Sequence, residues 1–251
     1  MTTALPDACR KWPAQFAAIV LTGWLGAGCT TIPTTMPTSV ADLGPAYKPT
    51  NVYKRENTLP TDLRRVALLP MTTTSPTAFL EAGRDAMEPV LYAELEKTKR
   101  FEVIPVTRAQ MKQWTGESAW RIDEQFPPDM FQRVREGTGC DAVFFGQLTR
   151  YQPYQPIAVG WKFTLVEARA SSSTNAPSAE VKGLTFWSVD EVLDSGDPGV
   201  ANAARAYYSQ HLRNEAPAAD VSTMMSSPTR FGQYAIATLL TSLPDRTGHK
   251  K

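Results

Sequence analysis

The stretch from Arg64 to Tyr151 alternates strand-length apolar runs with helix-period segments, and that order leaves few folds open. "RRVALLP" carries the apolar run Val66 to Leu69 between Arg65 and Pro70, the length of a buried strand. In "TAFLEAGRDAMEPVLYAELEKTK" the positions Leu80, Met87, Leu91 and Leu95 fall on one face at helical spacing, with Pro89 inside the pattern as an expected kink or restart. "RFEVIPV" is a second strand. After a poorly patterned stretch around Trp114 and Trp120, "PPDMFQRVREGTG" gives a helix begun by proline and stopped by Gly137 and Gly139. "CDAVFFGQLTRY" is the third strand, so the order is βαβ(α)αβ.

Two β-rich segments follow, "AVGWKFTLVEAR" and "LTFWSVDEVLD", which read as an antiparallel hairpin with the long tip 170–182. Asp197 and Pro198 form an N-cap and first-turn pair for the helix "GVANAARAYYSQHL", and Ser227 and Pro228 do the same for "TRFGQYAIATLLTSL". The expected class is α/β: a mixed β-sheet flanked by helices, with a βαβ-type core followed by an antiparallel hairpin and C-terminal helices. The domain is expected over residues 64–244 and a basic tail over 245–251.

"FAAIVLTGWLGAGCTT", residues 16–31, is the most apolar stretch, yet it is too short and too broken by glycine for a span of about 20 apolar residues. Arg10 and Lys11 precede it and Gly26, Ala27 and Gly28 close it, the order of an export signal. Its end resembles a bacterial lipoprotein signal. That resemblance implies cleavage after residue 28 and a diacylglycerol on Cys29. Gly23 and Gly28 have phosphate-loop spacing, but Cys29 and Thr30 follow where a lysine is needed. From residue 29 to 63 the prolines 33, 37, 45, 49 and 60 interrupt every period, which reads as a flexible tether.

Without residues 1–28 the chain carries 24 basic and 24 acidic side chains. Such a balance gives no electrostatic reason to seek nucleic acid. Cys140 is then the one cysteine free of signal or lipid, which excludes an intramolecular disulfide, and it reads as a small buried apolar residue. His211, near a helix end, and His249, in the tail, are the two histidines available as a neutral-pH base. No Gly-x-Ser-x-Gly elbow, HExxH helix or CxxC pair is present, so no catalytic residue, metal or cofactor is assigned. Asp190, Glu191, Asp194 and Asp197 lack calcium-loop spacing and read as a solvated turn. Tyr151, Tyr154 and Trp161, around "YQPYQPIAVGW", are the candidate partner-binding residues, because rigid aromatics at a strand end suit a protein interface.

"RVALLPM", "GRDAMEPVLYAEL", "RFEVIPV" and "GCDAVFFGQLTRY" together resemble the α/β core of the curli secretion-channel lipoproteins, the lipoprotein activators of penicillin-binding proteins, and the N-terminal domain of the TolB family. The resemblance covers residues 64–194, mostly through apolar core and turn glycines. It implies a non-catalytic accessory or assembly module that binds another envelope protein. Thr30 follows Cys29 in place of the aspartate that often retains such lipoproteins at the inner membrane, so the resemblance to a lipoprotein signal implies the outer membrane, on the periplasmic face. A curli-channel-like ring or pore built from copies of the chain is the alternative.

Overall fold

A computed structural model describes residues 46–168, 184–215 (side chains to 210) and 221–246. The leader, Cys29, the first part of the expected tether, the hairpin tip 170–182, the His211 side chain and His249 lie outside the described residues. The elements in chain order are β1 (Val52–Lys54), β2 (Thr58–Leu59), β3 (Arg65–Leu68), β4 (Thr72–Thr73), α1 (Ala78–Thr98), β5 (Glu102–Pro105), α2 (Arg108–Thr115) and α3 (Met130–Thr138). They continue with β6 (Ala142–Gln152), β7 (Ala158–Glu167), β8 (Thr185–Asp194), α4 (Pro198–Glu215), α5 (Val221–Ser226), α6 (Pro228–Leu240) and β9 (Asp245–Arg246).

One mixed sheet runs β1-β8-β7-β6-β3-β5, with β4 also paired to β6. β3 is parallel to β5 and β6, while β6, β7, β8 and β1 are joined antiparallel. This is the α/β class the sequence predicts. Alternate residues of β6 serve opposite faces: Phe144 and Leu148 join the cluster containing Leu91 and Leu95 of α1 and Phe231 of α6, whereas Val143 and Phe145 join Met111, Met130, Phe131 and Val134 of α2 and α3. Helices therefore cover both faces of the parallel half.

α1 starts at Thr77, whose hydroxyl accepts the Leu80 N–H, and runs unbroken for 21 residues through Pro89. The helix does not restart at the proline. Met87, Leu91 and Leu95 are fully buried on either side of Pro89. Three such side chains at about 1.5–3 kcal/mol each outweigh an interior proline's cost of about 3 kcal/mol. α2, in the unpatterned stretch, is opened by a capping box in which Thr107 and Gln110 bond each other reciprocally.

The folded unit begins earlier than residue 64. β1 pairs with β8, and Leu59 and Leu63 are each 2 % exposed in the core. Ahead of β1, the Tyr47 hydroxyl donates to Glu191 Oε1 at 2.6 Å, and Thr50 donates its N–H (2.9 Å) and hydroxyl (3.0 Å) to the same carboxylate. Asn51 Nδ2 donates to the Asp190 carbonyl. Residues 47–63 thus form a strap along β8 and into the core, where a tether was expected. Nor are Asp245 and Arg246 tail: they form β9 beside β2, and Asp245 pairs with Arg100 at 2.8 Å.

Behind the sheet, Tyr208 donates to the Arg230 carbonyl and both it and Tyr234 are almost wholly buried. Burial pushes the Tyr234 hydroxyl up to about 12 and Tyr208 higher still, with neighbouring Tyr207 adding to the latter. Because both folded values lie above the unfolded tyrosine value near 10, their contribution to stability is whole below pH 10 and is lost as pH rises beyond it. Urea midpoints are expected to carry no loss from these groups between pH 7 and 9 and to fall by pH 11. An undiminished midpoint at pH 11 would contradict the burial of these two hydroxyls.

Candidate protein-binding surface

The antiparallel pair β6 and β7 meets in a tight turn, residues 153–157, whose Gln155–Pro156 peptide is cis. Gln152 Nε2 donates to the Pro156 carbonyl at 2.6 Å, and Gln155 Nε2 donates to the Met225 carbonyl at 3.1 Å. These bonds hold both ends of the turn and leave Tyr154 75 % exposed. Tyr151, half-buried, lies on α1 where Gly83 makes room: a Cβ there would stand 2.6 Å from the ring. Burial raises the Tyr151 hydroxyl above its ordinary value.

A third ring completes the cluster. Phe79, in the first turn of α1 and 49 % exposed, has its centroid 5.9 Å from Tyr151 and 6.5 Å from Tyr154. Since β3 and β6 are parallel, the start of α1 after β3 and the end of β6 fall at one end of the sheet. Three aromatics from two elements therefore form an exposed patch whose rings support one another.

Trp161 does not belong to it. Its side chain is fully buried, stacks on Phe163 at 5.5 Å, and its indole N–H makes no hydrogen bond. β7 begins at Ala158, and Val159, Trp161, Phe163 and Leu165 alternate onto the helix-covered face, so the strand's period carries Trp161 into the core.

α/β sheets commonly hold small ligands at the carboxyl ends of parallel strands where strand order reverses. Between β3 and β6 that place is filled by the protein itself. β4 pairs with Gln147 and Leu148 of β6 there. Glu88 accepts the Met71 N–H at 2.8 Å, and Arg108 donates to the Met71 carbonyl at 2.9 Å. Cys140 is 1 % exposed, and burial pushes its thiol up, away from the thiolate needed for nucleophilic chemistry.

Of the acids expected in a solvated turn, three lie in a strand, and Asp197 takes its expected capping place. Asp190, Glu191 and Asp194 lie in β8, where Val189 and Leu193 alternate into the core and Glu191 takes the strap. Asp194 accepts the Gly196 N–H, and Asp197 accepts those of Gly199 and Val200 as the α4 cap. Among the described residues no group of three or more His, Cys, Asp or Glu could hold a metal ion. At the far end of the sheet, Arg55, Asp62, Asp141, Glu167 and Phe186 line a shallow cavity of about 180 Å³. There Asp141 already accepts the Arg64 and Arg65 N–H groups.

No protein-family profile matches the chain, and no curated protein sequence matches it. Among solved structures it is similar to the PelC dodecamer from Paraburkholderia phytofirmans, at 13% identity and a TM-score of 0.41, covering 78% of this chain and 98% of that one. It is also similar to lipoprotein GNA1162 from Neisseria meningitidis, at 20% identity and a TM-score of 0.39, covering 60% and 99%. A third similarity is to the LpoB C-terminal domain from Salmonella enterica, at 12% identity and a TM-score of 0.30, covering 53% and 83%.

Proposed function

We propose that this chain is a lipoprotein of the bacterial outer membrane, anchored through Cys29 on the periplasmic face, and a non-catalytic accessory module that binds another envelope protein. The observation that carries the reading is the exposed cluster of Phe79, Tyr151 and Tyr154, set on a domain whose small-ligand crevice is filled by its own chain. Rigid aromatics lose little conformational entropy on binding and bring large apolar area. The hairpin that a membrane barrel would need belongs to the domain's own sheet: β7 and β8 lie between β6 and β1, and Val159, Trp161, Phe163, Leu165, Val189 and Leu193 face the helix-covered core. The accessory role is therefore preferred over a pore.

Cys29→Ser is expected to abolish labelling by a fatty-acid probe and to leave an unprocessed precursor, because the thiol is the acylation site. Several acyl chains give stable attachment where one is marginal. Undiminished labelling would remove the anchor from this reading, and fractionation of the wild type with the inner membrane would remove the sorting. The partner is sought by quantitative co-purification from gently solubilised membranes. Recovery of no protein above the background of an unrelated lipoprotein of equal abundance would contradict the accessory role.

A further inference from the structure

The strap and the chain that follows it are held in different ways. From Ala46 to Thr58 no residue is buried, and the strap meets the core through the half-buried side chains of Tyr47 and Val52. From Leu59 onward the chain is fixed: Leu59 and Leu63 lie in the core, β2 pairs with β9, and Arg100 holds both Asp245 of β9 and the Leu240 carbonyl. The division falls within the exposed run Tyr53–Thr58.

β8 does not depend on the strap for its place. Its inner edge is paired with β7 from Ala158 to Val166, and its Trp187, Val189 and Leu193 side chains are buried. On the outer edge β1 spans three residues, flanked by an Asp190 N–H to Asn51 carbonyl bond at 3.1 Å and an Arg55 N–H to Phe186 carbonyl bond at 2.9 Å. Upstream, one carboxylate does most of the holding. The Tyr47 hydroxyl and both the N–H and the hydroxyl of Thr50 converge on Glu191, and hydrogen bonds to an ionised acceptor are stronger than neutral ones.

We infer that residues 47–55 form a releasable strap, which opens as a unit while the domain stays folded, with Glu191 as its latch. Segments with little buried apolar surface and solvent-facing hydrogen bonds open at lower free energy than the core on which they lie. Opening bares the outer edge of β8 between Phe186 and Asp190, backbone that native sheets keep covered. It also returns the strap to the chain that precedes the domain. The inference concerns the domain alone and holds with or without a lipid on Cys29.

Antiparallel pairing turns neighbouring residues of β8 toward different strands: Asp190 gives its N–H to the strap, whereas Val189 and Leu193 turn theirs to β7. Hydrogen exchange read at single amides of the full-length protein therefore separates the strap from the strand beneath it. Protection at Arg55 and Asp190 is expected to be at least a hundredfold lower than at Val189 and Leu193, and to change little in urea below the unfolding transition, where protection at Val189 falls steeply. Equal protection and equal urea dependence at all four overturn the inference, because the strap then opens only when the domain unfolds. Weak protection at Val189 as well as at Asp190 also overturns it, since β8 itself then opens.

The latch is tested with Glu191→Gln, which keeps the side chain's size and removes its charge. Protection at Arg55, whose own bond to Phe186 is untouched, is expected to fall about tenfold while Val189 stays unchanged. Tyr47→Phe, which removes one donor and keeps the ring, is expected to shift Arg55 in the same direction, and it carries the test if the Glu191 variant does not fold. Unchanged protection at Arg55, or an equal fall at Val189, denies Glu191 the role of latch.

Discussion

Replacing Trp161 with alanine is expected to destabilise the domain by about 3–5 kcal/mol, the range for emptying a large aromatic from a packed core. Domains of this size are stable by about 5–15 kcal/mol in total, so the variant should accumulate poorly and unfold at much lower urea. The ring is fully buried, stacks on Phe163 and sits opposite Leu148 across the β6–β7 ladder. Trp161→Phe should cost far less, because the indole N–H makes no hydrogen bond and only part of the volume is lost. Urea denaturation followed by circular dichroism checks both. A Trp161→Ala protein that folds normally yet loses its partner would return Trp161 to the binding surface.

That substitution also marks the limit of what the sequence shows. Period-2 alternation over Val159, Trp161, Phe163 and Leu165 was present to be read, but the prolines at 153 and 156 draw attention to the segment as a strand end. The core helix was legible because Met87, Leu91 and Leu95 repeat at 3.6-residue spacing, and local propensity around Pro89 mattered less than their burial. Phe79 lies one residue, or about 100° of helix, from Leu80 of the buried stripe. An outward aromatic was therefore deducible. Its proximity to Tyr154 was not, since that depends on β3 and β6 being parallel neighbours. The strap was hidden for the same reason. Tyr47 and Glu191 are 144 residues apart, and nothing near either one announces the bond.

The second large effect belongs to the aromatic end. Phe79→Ala combined with Tyr154→Ala is expected to weaken partner binding by about 2 kcal/mol or more, roughly 30-fold, as for paired interface anchors. Both rings are substantially exposed, at 49 % and 75 %, so the domain itself should lose no more than about 1 kcal/mol. Deleting residues 172–179 should leave binding nearly unchanged, because that stretch is small and polar and loses much entropy when fixed. The most direct measurement is quantitative co-purification of the partner with wild type, the double alanine variant and the deletion, each matched for abundance and for circular dichroism. The account predicts loss of the partner from the double variant alone; a folded double variant that keeps its partner while the deletion loses it would contradict the account and make the hairpin tip the binding element.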